Sequence, residues 1–209
     1  MPDTLTASVT EVIELTRTLV RCESVTPREA GALQHLEHIL APLGFRCERM
    51  DFSQAGTDDV ANLYARLGTS GRHFCFAGHS DVVPVGDLSS WTIGPFSAEL
   101  SDGYLFGRGA ADMKGAIAAF TDAVARFLAR HGRDFGGSIS LLITGDEEGP
   151  AVNGTVKMLK RLAERGETID VCVVGEPTSS KRFGDMIKIG RRGSMTADRR
   201  WMALSSRSG

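Results

Sequence analysis

The sequence has 209 residues, of which 42% are apolar and 24% charged, and its formal net charge is −2. These values are ordinary for a globular chain with a buried core, and the length suits one large domain or one domain with part of another. The mixed charges disfavour a nucleic-acid-binding surface, which usually forms a basic stripe. A short basic patch near the C-terminus could equally meet small acidic substrates: Arg191, Arg192, Arg199 and Arg200.

No segment has the features of a targeting signal or a membrane span. Residues 1–10 lack a basic start followed by an apolar run, and the most apolar stretch, residues 139–143, is too short to cross a bilayer. The four cysteines are scattered without a Cys-x-x-Cys pair: Cys22, Cys47, Cys75 and Cys172. We therefore expect a cytoplasmic protein whose cysteines are buried and reduced, rather than joined in disulfides or bound to metal.

The first part of the chain is predicted to contain two helices and then three strands. An i, i+3, i+4 stripe of apolar side chains predicts a helix over residues 9–20. Pro27 suits the start of a second helix, which should end near Gly44. Alternating and apolar runs then predict strands over residues 45–52, 60–67 and 73–77.

Strands and helices alternate through the rest of the chain. The expected order is a strand at 104–107, a helix at 112–131, a strand at 138–144, a helix at 153–165, a buried strand at 170–174 and a strand at 186–189. One face of the helix at 112–131 would carry Ala116, Ala119, Phe120, Ala123, Val124 and Phe127. This alternation predicts an α/β domain with a mixed, largely parallel sheet that helices flank on both faces.

Residues that could carry chemistry follow the predicted strands directly. His79 comes after the strand at 73–77, and a neutral histidine is a strong ligand for zinc-like metals. Asp81, two residues later, could accept the other ring proton and so fix the tautomer of the histidine. On its own, this short motif fits a purely structural role equally well.

A glycine-rich turn precedes the helix at 112–131. Residues 107–115 contain three glycines, which predicts a tight turn, and Asp112 stands where the helix should begin. Aspartate is a favoured N-cap residue, so capping is the simpler role for Asp112 taken by itself. The glycines do not match the spacing of a phosphate-binding loop.

Two further acidic motifs end the following strands. Asp146, Glu147 and Glu148 are consecutive, and adjacent carboxylates repel one another unless cations or protons intervene. Neighbouring side chains of an extended segment diverge, so one glutamate could hold a metal while the other faces water. The alternative is a solvated acidic loop. Glu176 follows the last strand of the set, and Pro177 favours an extended backbone there.

Together these motifs predict a site for paired divalent metal ions. The carboxyl ends of the strands of an α/β sheet are where ligand sites gather, and one histidine with several carboxylates is the ligand set of such a site. A serine nucleophile is disfavoured because the Gly-x-Ser-x-Gly motif is missing, and no cysteine lies in these motifs.

The same segments resemble the motifs of the M20 metallopeptidase family, and the similarity extends over residues 15–197. The motifs concerned are residues 79–84, 106–115, 146–148 and 175–177. Three more segments are most similar to the family branch that removes succinate from N-succinyl-LL-2,6-diaminopimelate in lysine and cell-wall precursor synthesis: residues 153–157, 174–178 and 188–194. The resemblance implies an amide hydrolase with a small-molecule substrate and two zinc ions, or cobalt in their place.

The resemblance also implies a role for each metal-site residue. His79 and Glu176 would bind one zinc ion, Glu148 the other, and Asp112 would bridge the two, with a cis peptide bond after it. Asp81 would orient His79.

Catalysis and substrate binding would fall to other residues. By resemblance, Glu147 would be the general base, taking a proton from water and passing it to the leaving amine. Lys188, Arg191 and Ser194 correspond to positions with which the family holds its substrate, and the two basic side chains suit a substrate with several carboxylates.

Members of this family are considerably longer than this sequence. The resemblance divides the chain into an incomplete metal-binding catalytic domain (1–185), the start of a lid domain (186–197) and an unpatterned tail (198–209). In the family, the lid makes the homodimer contact and supplies a histidine, and a last zinc-binding histidine follows it. Because no histidine follows His131 here, we expect at most one tightly bound metal ion, impaired hydrolysis and marginal stability.

Three other functions remain open at this point. Another deacylase or peptidase with the same metal motifs, such as an acetylornithine deacetylase or a dipeptidase, is one. A non-catalytic remnant that binds metal or a partner chain is the second. A nucleic-acid-binding module resting on the C-terminal arginines is the third and the least supported.

Overall fold

The computed structural model describes residues 12–182 and 184–190. The chain divides into two compact units, Met1–Pro177 and Thr178–Gly209. Within the described part of the second unit, Thr178 donates a hydrogen bond to the Met186 carbonyl. Residues 186–189 form no strand there, contrary to the sequence prediction, because no neighbouring strand is available among the described residues of that unit.

The first unit contains all helices and strands of the described chain. The helices are α1 (Val12–Arg21), α2 (Ala32–Leu40), α3 (Gly115–His131) and α4 (Thr155–Glu164). The strands are β1 (Arg46–Arg49), β2 (Leu63–Leu67), β3 (His73–His79), β4 (Glu99–Ser101), β5 (Tyr104–Phe106), β6 (Ser138–Thr144) and β7 (Val171–Val174). Apart from β4, each strand falls where a strand was predicted. β4 pairs with β5 in a small two-stranded sheet.

The main sheet has five strands in the order β1-β2-β6-β3-β7. β3 lies parallel to both β6 and β7, whereas β2 runs antiparallel to β1 and β6. β2 is therefore the one strand that runs against the others, which confirms the predicted mixed, largely parallel sheet. The parallel strands β3, β6 and β7 end on the same edge of the sheet, the edge that carries the candidate site.

Helices cover both faces of this sheet, as predicted. On one face α1, α2 and α3 enclose the larger apolar core, which includes Leu36, Leu141 and Ile143. On the other face α4 covers a smaller cluster in which Leu142 and Met158 pack together. Consecutive residues of β6 thus point alternately into the two cores, the arrangement that makes a central strand apolar throughout.

Two predicted helix starts are wrong. α2 begins at Ala32 rather than at Pro27, because Ala30 and Gly31 have positive φ angles of 48° and 87°, which no right-handed helix can contain. α3 begins at Gly115 rather than at Asp112, since the backbone of Asp112 is extended, with φ −127° and ψ 95°.

The buried faces of two elements also differ from prediction. The buried side of α3 is one step around the helix from the predicted face and consists of Ile117, Ala118, Thr121, Asp122, Val124, Ala125 and Leu128. β7 was expected to be buried, yet among the described residues it is one of the two edge strands, and Val171, Val173 and Val174 are about half exposed (47%, 46% and 57%). Cys172 in the same strand is therefore exposed, and Cys47 is half-buried, whereas Cys22 and Cys75 are buried as predicted.

None of the described helices is both long and apolar enough to cross a membrane.

The central position of β6 predicts how the fold responds to truncation of its side chains. Leu141 is fully buried between the sheet and the larger helical layer, so Leu141→Ala should lower the free energy of unfolding by about 3 kcal/mol. Leu159 on α4 is 45% exposed and offers a matched control, for which we expect a loss below about 1 kcal/mol. Urea unfolding of the three proteins measures both values. Equal losses for the two variants would show that β6 is not at the centre of the core.

Candidate metal centre

His79, the last residue of β3, is buried with only 1% of its surface exposed. Its Nδ1 atom lies 2.9 Å from the main-chain carbonyl oxygen of Asp81 and 3.5 Å from a carboxylate oxygen of the same residue. Its Nε2 atom faces the opposite way, 3.1 Å from an Asp112 oxygen and 3.5 Å from a Glu176 oxygen. The ring is thus held at one nitrogen and presents the other to a group of carboxylates, which is the orientation typical of a metal-binding histidine.

Asp112 lies in a kinked turn between β5 and α3 and does not cap the helix. The N-cap position of α3 is Lys114, and no side chain caps it. The Asp112 side chain is half exposed and turns toward His79. The Asp112–Met113 peptide bond is cis, as the family resemblance implies. Of the two roles open from the sequence, the structure therefore disfavours capping and places Asp112 in the cluster.

The buried carboxylate of Asp81 ties the end of β3 to the acidic loop after β6. It accepts hydrogen bonds from the main-chain N–H groups of Glu147 (3.1 Å) and Glu148 (3.0 Å). The closer partner of His79 is the Asp81 carbonyl, so the carboxylate serves mainly to hold the acidic loop. One residue therefore positions both the histidine and the two glutamates.

Asp146, the first acidic residue of the loop, is structural. Its side chain is buried and accepts main-chain hydrogen bonds from Ala151 (3.1 Å), Val152 (2.8 Å) and Asn153 (2.9 Å). These bonds fold the chain back on itself between β6 and α4. Consequently Asp146 points away from the cluster, and only Glu147 and Glu148 remain free to reach it.

Asn62 supports the same loop from beneath and was missed by the sequence analysis. Its Nδ2 donates to the carbonyls of Met50 (2.8 Å) and Asn153 (3.0 Å), and its Oδ1 accepts from the Thr144 hydroxyl (2.8 Å) and the Gly145 N–H (3.2 Å). All four contacts are buried, so the side chain is fully paired. The only sequence signal was a polar residue inside an otherwise apolar strand region.

Gly78 and Gly175 lie close to the buried side chain of Met113. Met113 is fully buried, and its Cε atom would lie only 2.5 Å from a Cβ added to Gly78 and 2.8 Å from one added to Gly175. A larger residue at Gly78 would push the Met113 side chain aside, and one at Gly175 would also press on the Phe76 ring, whose Cζ atom would lie 2.6 Å away. Glycine before His79 and before Glu176 thus lets both ligand-bearing strand ends approach the turn.

The side chains offer donors for a metal ion in two overlapping groups. The atoms of His79, Asp112 and Glu176 lie within 4.8 Å of one another, as do those of His79, Glu147 and Glu148. One imidazole nitrogen with two carboxylate oxygens is a donor set that zinc accepts, and three protein ligands leave a position open. The residues present therefore fit a divalent metal ion.

The charges of the cluster strain it when no cation is bound. Burial and the neighbouring Asp112 and Glu147 raise the pKa of Glu176 to about 7, and burial with the same neighbours raises the pKa of Glu148. For His79, burial acts to lower the pKa, but Asp81 and Glu176 outweigh it and raise the pKa to about 10. The carboxylates thus compete for protons, and a cation in their midst would relieve their repulsion.

Of the three predicted substrate-binding residues, the structure describes only Lys188. Lys188 belongs to the second unit and is exposed. Arg191 and Ser194 lie outside the described residues. Their substrate-binding roles stay predictions, as do the roles given to the individual residues of the cluster.

Comparison with known proteins decides the family. The sequence profile of peptidase family M20/M25/M40 matches residues 75–203, more than half of the chain. The chain belongs to this family. The match includes the whole carboxylate cluster and confirms the resemblance inferred from the motifs.

Two curated relatives that share a name show high sequence identity to the chain. A succinyl-diaminopimelate desuccinylase of Parvibaculum lavamentivorans is 58% identical over 208 residues, which is 100% of this chain and 51% of that protein. A succinyl-diaminopimelate desuccinylase of Rhodospirillum centenum is 62% identical over 185 residues, covering 88% of this chain and 48% of that protein. The chain spans about half the length of the curated relatives it matches.

Solved structures of M20 enzymes share the fold. Human carnosine dipeptidase 1 superposes with a TM-score of 0.70 at 24% identity, over 83% of this chain and 40% of that one. An M20 family metallo-carboxypeptidase of Sulfolobus solfataricus gives a TM-score of 0.68 at 20% identity, over 79% and 37% of the two chains. At these identities the likeness concerns the fold alone.

The raised pKa values predict how the stability of the metal-free chain depends on pH. Glu176 stabilises the fold fully below its ordinary pKa of 4.5, and this contribution is lost as the pH rises through about 7. His79 behaves likewise between its ordinary 6.5 and about 10. We therefore expect the free energy of unfolding, measured with a chelator present, to fall as the pH rises from 5 towards 9.

A glutamine at position 176 separates the two contributions. Glu176→Gln should flatten the decline between pH 4.5 and 7 and leave the decline above pH 7 in place. Glu164→Gln on the exposed surface of α4 is the matched control and should follow the parent chain throughout. A parent chain whose stability rises over this range would contradict the crowding of the carboxylates.

Proposed function

We propose that this chain provides the metal-binding portion of an amide hydrolase that cleaves N-succinyl-LL-2,6-diaminopimelate to succinate and LL-diaminopimelate, on the route to lysine. The observation that carries the proposal is the convergence of His79, Asp112 and Glu176 with an additional glutamate, Glu147, that the three-ligand group does not need. The names of the relatives, at 58% and 62% identity, support the succinylated substrate. The cytoplasm as the site of this reaction stays a prediction.

The proposed ligand set starts from the group that has three donors. His79, Asp112 and Glu176 would hold one zinc ion tightly, with cobalt as an alternative, and Glu148 would serve a second ion together with Asp112. When bound, such ions polarise the scissile carbonyl and make water a stronger acid. With fewer donors for the second ion among the described residues, we propose one tight site in this chain.

Glu147 is proposed as the general base. Its side chain is half exposed, and its Oε2 atom lies 4.0 Å from His79 Nε2, at the side of the cluster that water can reach. The Asp81 carboxylate fixes the main chain of Glu147 and so limits where its side chain can go. Glu147 would take a proton from the attacking water and deliver it to the amine nitrogen as the C–N bond breaks, which leaves it ionised for the next turnover.

Lys188, Arg191 and Ser194 are proposed to bind the carboxylates of the substrate. The basic side chains complement an acylated diamino acid, which carries a succinyl carboxylate and two α-carboxylates. We also propose that the chain divides into a catalytic domain (1–185), the start of a lid (186–197) and a tail (198–209). A homodimer is proposed only for the longer members of the family.

Zinc titration of the purified chain tests the ligand set. Calorimetry should detect one tight site, and Glu176→Ala should weaken it by at least about 100-fold, because a direct ligand matters more than the outer-shell groups whose loss typically costs 10- to 100-fold. Glu164→Ala, an exposed glutamate of α4, should leave the affinity unchanged. Two tight sites, or equal behaviour of the two variants, would contradict the proposed set.

A chimera tests the reaction. The chain aligns with the first listed desuccinylase over 208 residues and about half of that enzyme, so it can replace the matching half of the Parvibaculum lavamentivorans protein. The chimera should release succinate from N-succinyl-diaminopimelate, and Glu147→Gln should slow it by about 10²- to 10⁴-fold while zinc affinity stays within a few-fold.

Two outcomes would correct the proposal in different ways. If the chimera cleaves the N-acetyl analogue faster than the succinyl compound, the substrate is wrong and the hydrolase assignment stands. If Glu147→Gln keeps full activity, the general base lies elsewhere. The Glu164→Gln chimera controls for the effect of removing a carboxylate from this half.

A further inference from the structure

Two cysteines face each other across the parallel strands β3 and β7. Cys75 and Cys172 are register partners, so their side chains leave neighbouring strands on the same face of the sheet. Neighbouring strands lie about 4.8 Å apart, which falls within the range of about 4.4–6.8 Å that Cα atoms show in disulfides. Among the described residues, no other two cysteines are register partners.

The two thiols differ in exposure and acidity. Cys75 is fully buried, whereas Cys172 is exposed on the edge strand. The neighbouring Cys75 and the main chain of Ala77 lower the pKa of Cys172 to about 7, against the opposing effect of burial. The neighbouring Cys172 and then burial raise the pKa of Cys75, whose thiol donates a hydrogen bond to the Phe76 carbonyl. The exposed sulfur is thus the more acidic of the two and the better nucleophile at neutral pH.

We propose that Cys172 and Cys75 form a peroxide-oxidisable pair, with Cys172 as the attacking thiol and Cys75 as the resolving thiol. The Cys172 thiolate attacks one oxygen of hydrogen peroxide, the O–O bond breaks, and hydroxide leaves to give a sulfenic acid. The Cys75 sulfur then displaces the hydroxyl group from that sulfur, losing its proton. Overall two thiols and one peroxide give one disulfide and two waters.

The other cysteines lack these properties. Cys22 is buried, its thiol donates to the Thr18 carbonyl, and burial raises its pKa. Cys47 is half-buried, and burial together with the nearby Glu37 raises its pKa. Cys47 therefore serves as a matched control.

The disulfide would join the edge strand β7 covalently to β3. Within residues 12–182 and 184–190, β7 pairs with β3 alone, and its side chains are half exposed. Glu176 follows β7 within two residues, while His79 ends β3. A covalent bond between the strands would therefore fix the spacing of two strand ends that carry members of the cluster.

Peptide mapping distinguishes the cysteines cleanly. Trypsin cleaves after Arg72, Arg108, Arg165 and Lys181, which places Cys75 in residues 73–108 and Cys172 in residues 166–181. Cys22 and Cys47 fall in other peptides. After treatment of the intact chain with stoichiometric hydrogen peroxide at pH 7.5, we expect the number of titratable thiols to fall from four to two and one cross-linked peptide pair, 73–108 with 166–181.

Variants assign the two roles. Cys172→Ser, at an exposed position, should abolish the loss of thiols over the same time, and Cys47→Ser should still lose two thiols. Cys75→Ser should stop at a sulfenic acid on Cys172, which dimedone labels. In the parent chain, oxidation should also raise the midpoint of thermal unfolding, an increase that Cys172→Ser lacks.

Three results would overturn the proposal, and none depends on hydrolytic activity. The first is loss of thiols in Cys172→Ser at the parental rate. The second is a disulfide between two chains through Cys172 instead of the peptide pair within one chain. The third is oxidation of Cys47 as fast as that of Cys172.

Discussion

The buried carboxylate of Asp81 is the interaction on which the rest of the site depends. With only 1% of its surface exposed, it would be costly to bury unless hydrogen bonds or opposite charges compensated it. Two main-chain N–H groups of the acidic loop, the neighbouring His79 ring and the positive charge of buried Lys114 supply that compensation. The same contacts join the end of β3 to the loop after β6. The contacts that allow the Asp81 carboxylate to be buried as an ion therefore also set the geometry of the cluster.

The carboxylates of the cluster repel one another, which lowers the stability of the metal-free fold but prepares the site for a cation. Asp112, Glu147, Glu148 and Glu176 bring negative charge around one histidine, and the raised pKa values of Glu148 and Glu176 record the repulsion. A site designed only for stability would separate these groups or pair each with a lysine or arginine. Instead, Asn62 holds the chain before the acidic loop by neutral hydrogen bonds from Thr144 and Gly145. The charge is left for a cation to compensate, which is the condition a metal-dependent hydrolase needs.

Local patterns predicted the sheet and the positions of the candidate ligands, because both depend on short-range sequence. The apolar run at 138–144 is a central strand, and each acidic motif follows a strand as expected. The patterns failed where distant residues decide. Capping by Asp112 was the simpler expectation, yet the kinked turn directs this side chain to His79, 33 residues earlier. The role of Asn62 depends on Thr144 and Asn153, 82 and 91 residues away, which no local periodicity reveals.

The exposure of β7, which the sequence pattern did not predict, has a functional consequence. Its valines form an apolar run that resembles a buried strand, but within the described residues only β3 pairs with it, and its side chains stay half exposed. A strand with few buried contacts opens more readily than the centre of the sheet. Glu176 lies two residues beyond it, so the third donor beside His79 and Asp112 follows a half-exposed edge strand. Attachment of β7 to β3 should therefore limit metal affinity more than the geometry of His79, which is already fixed by Asp81.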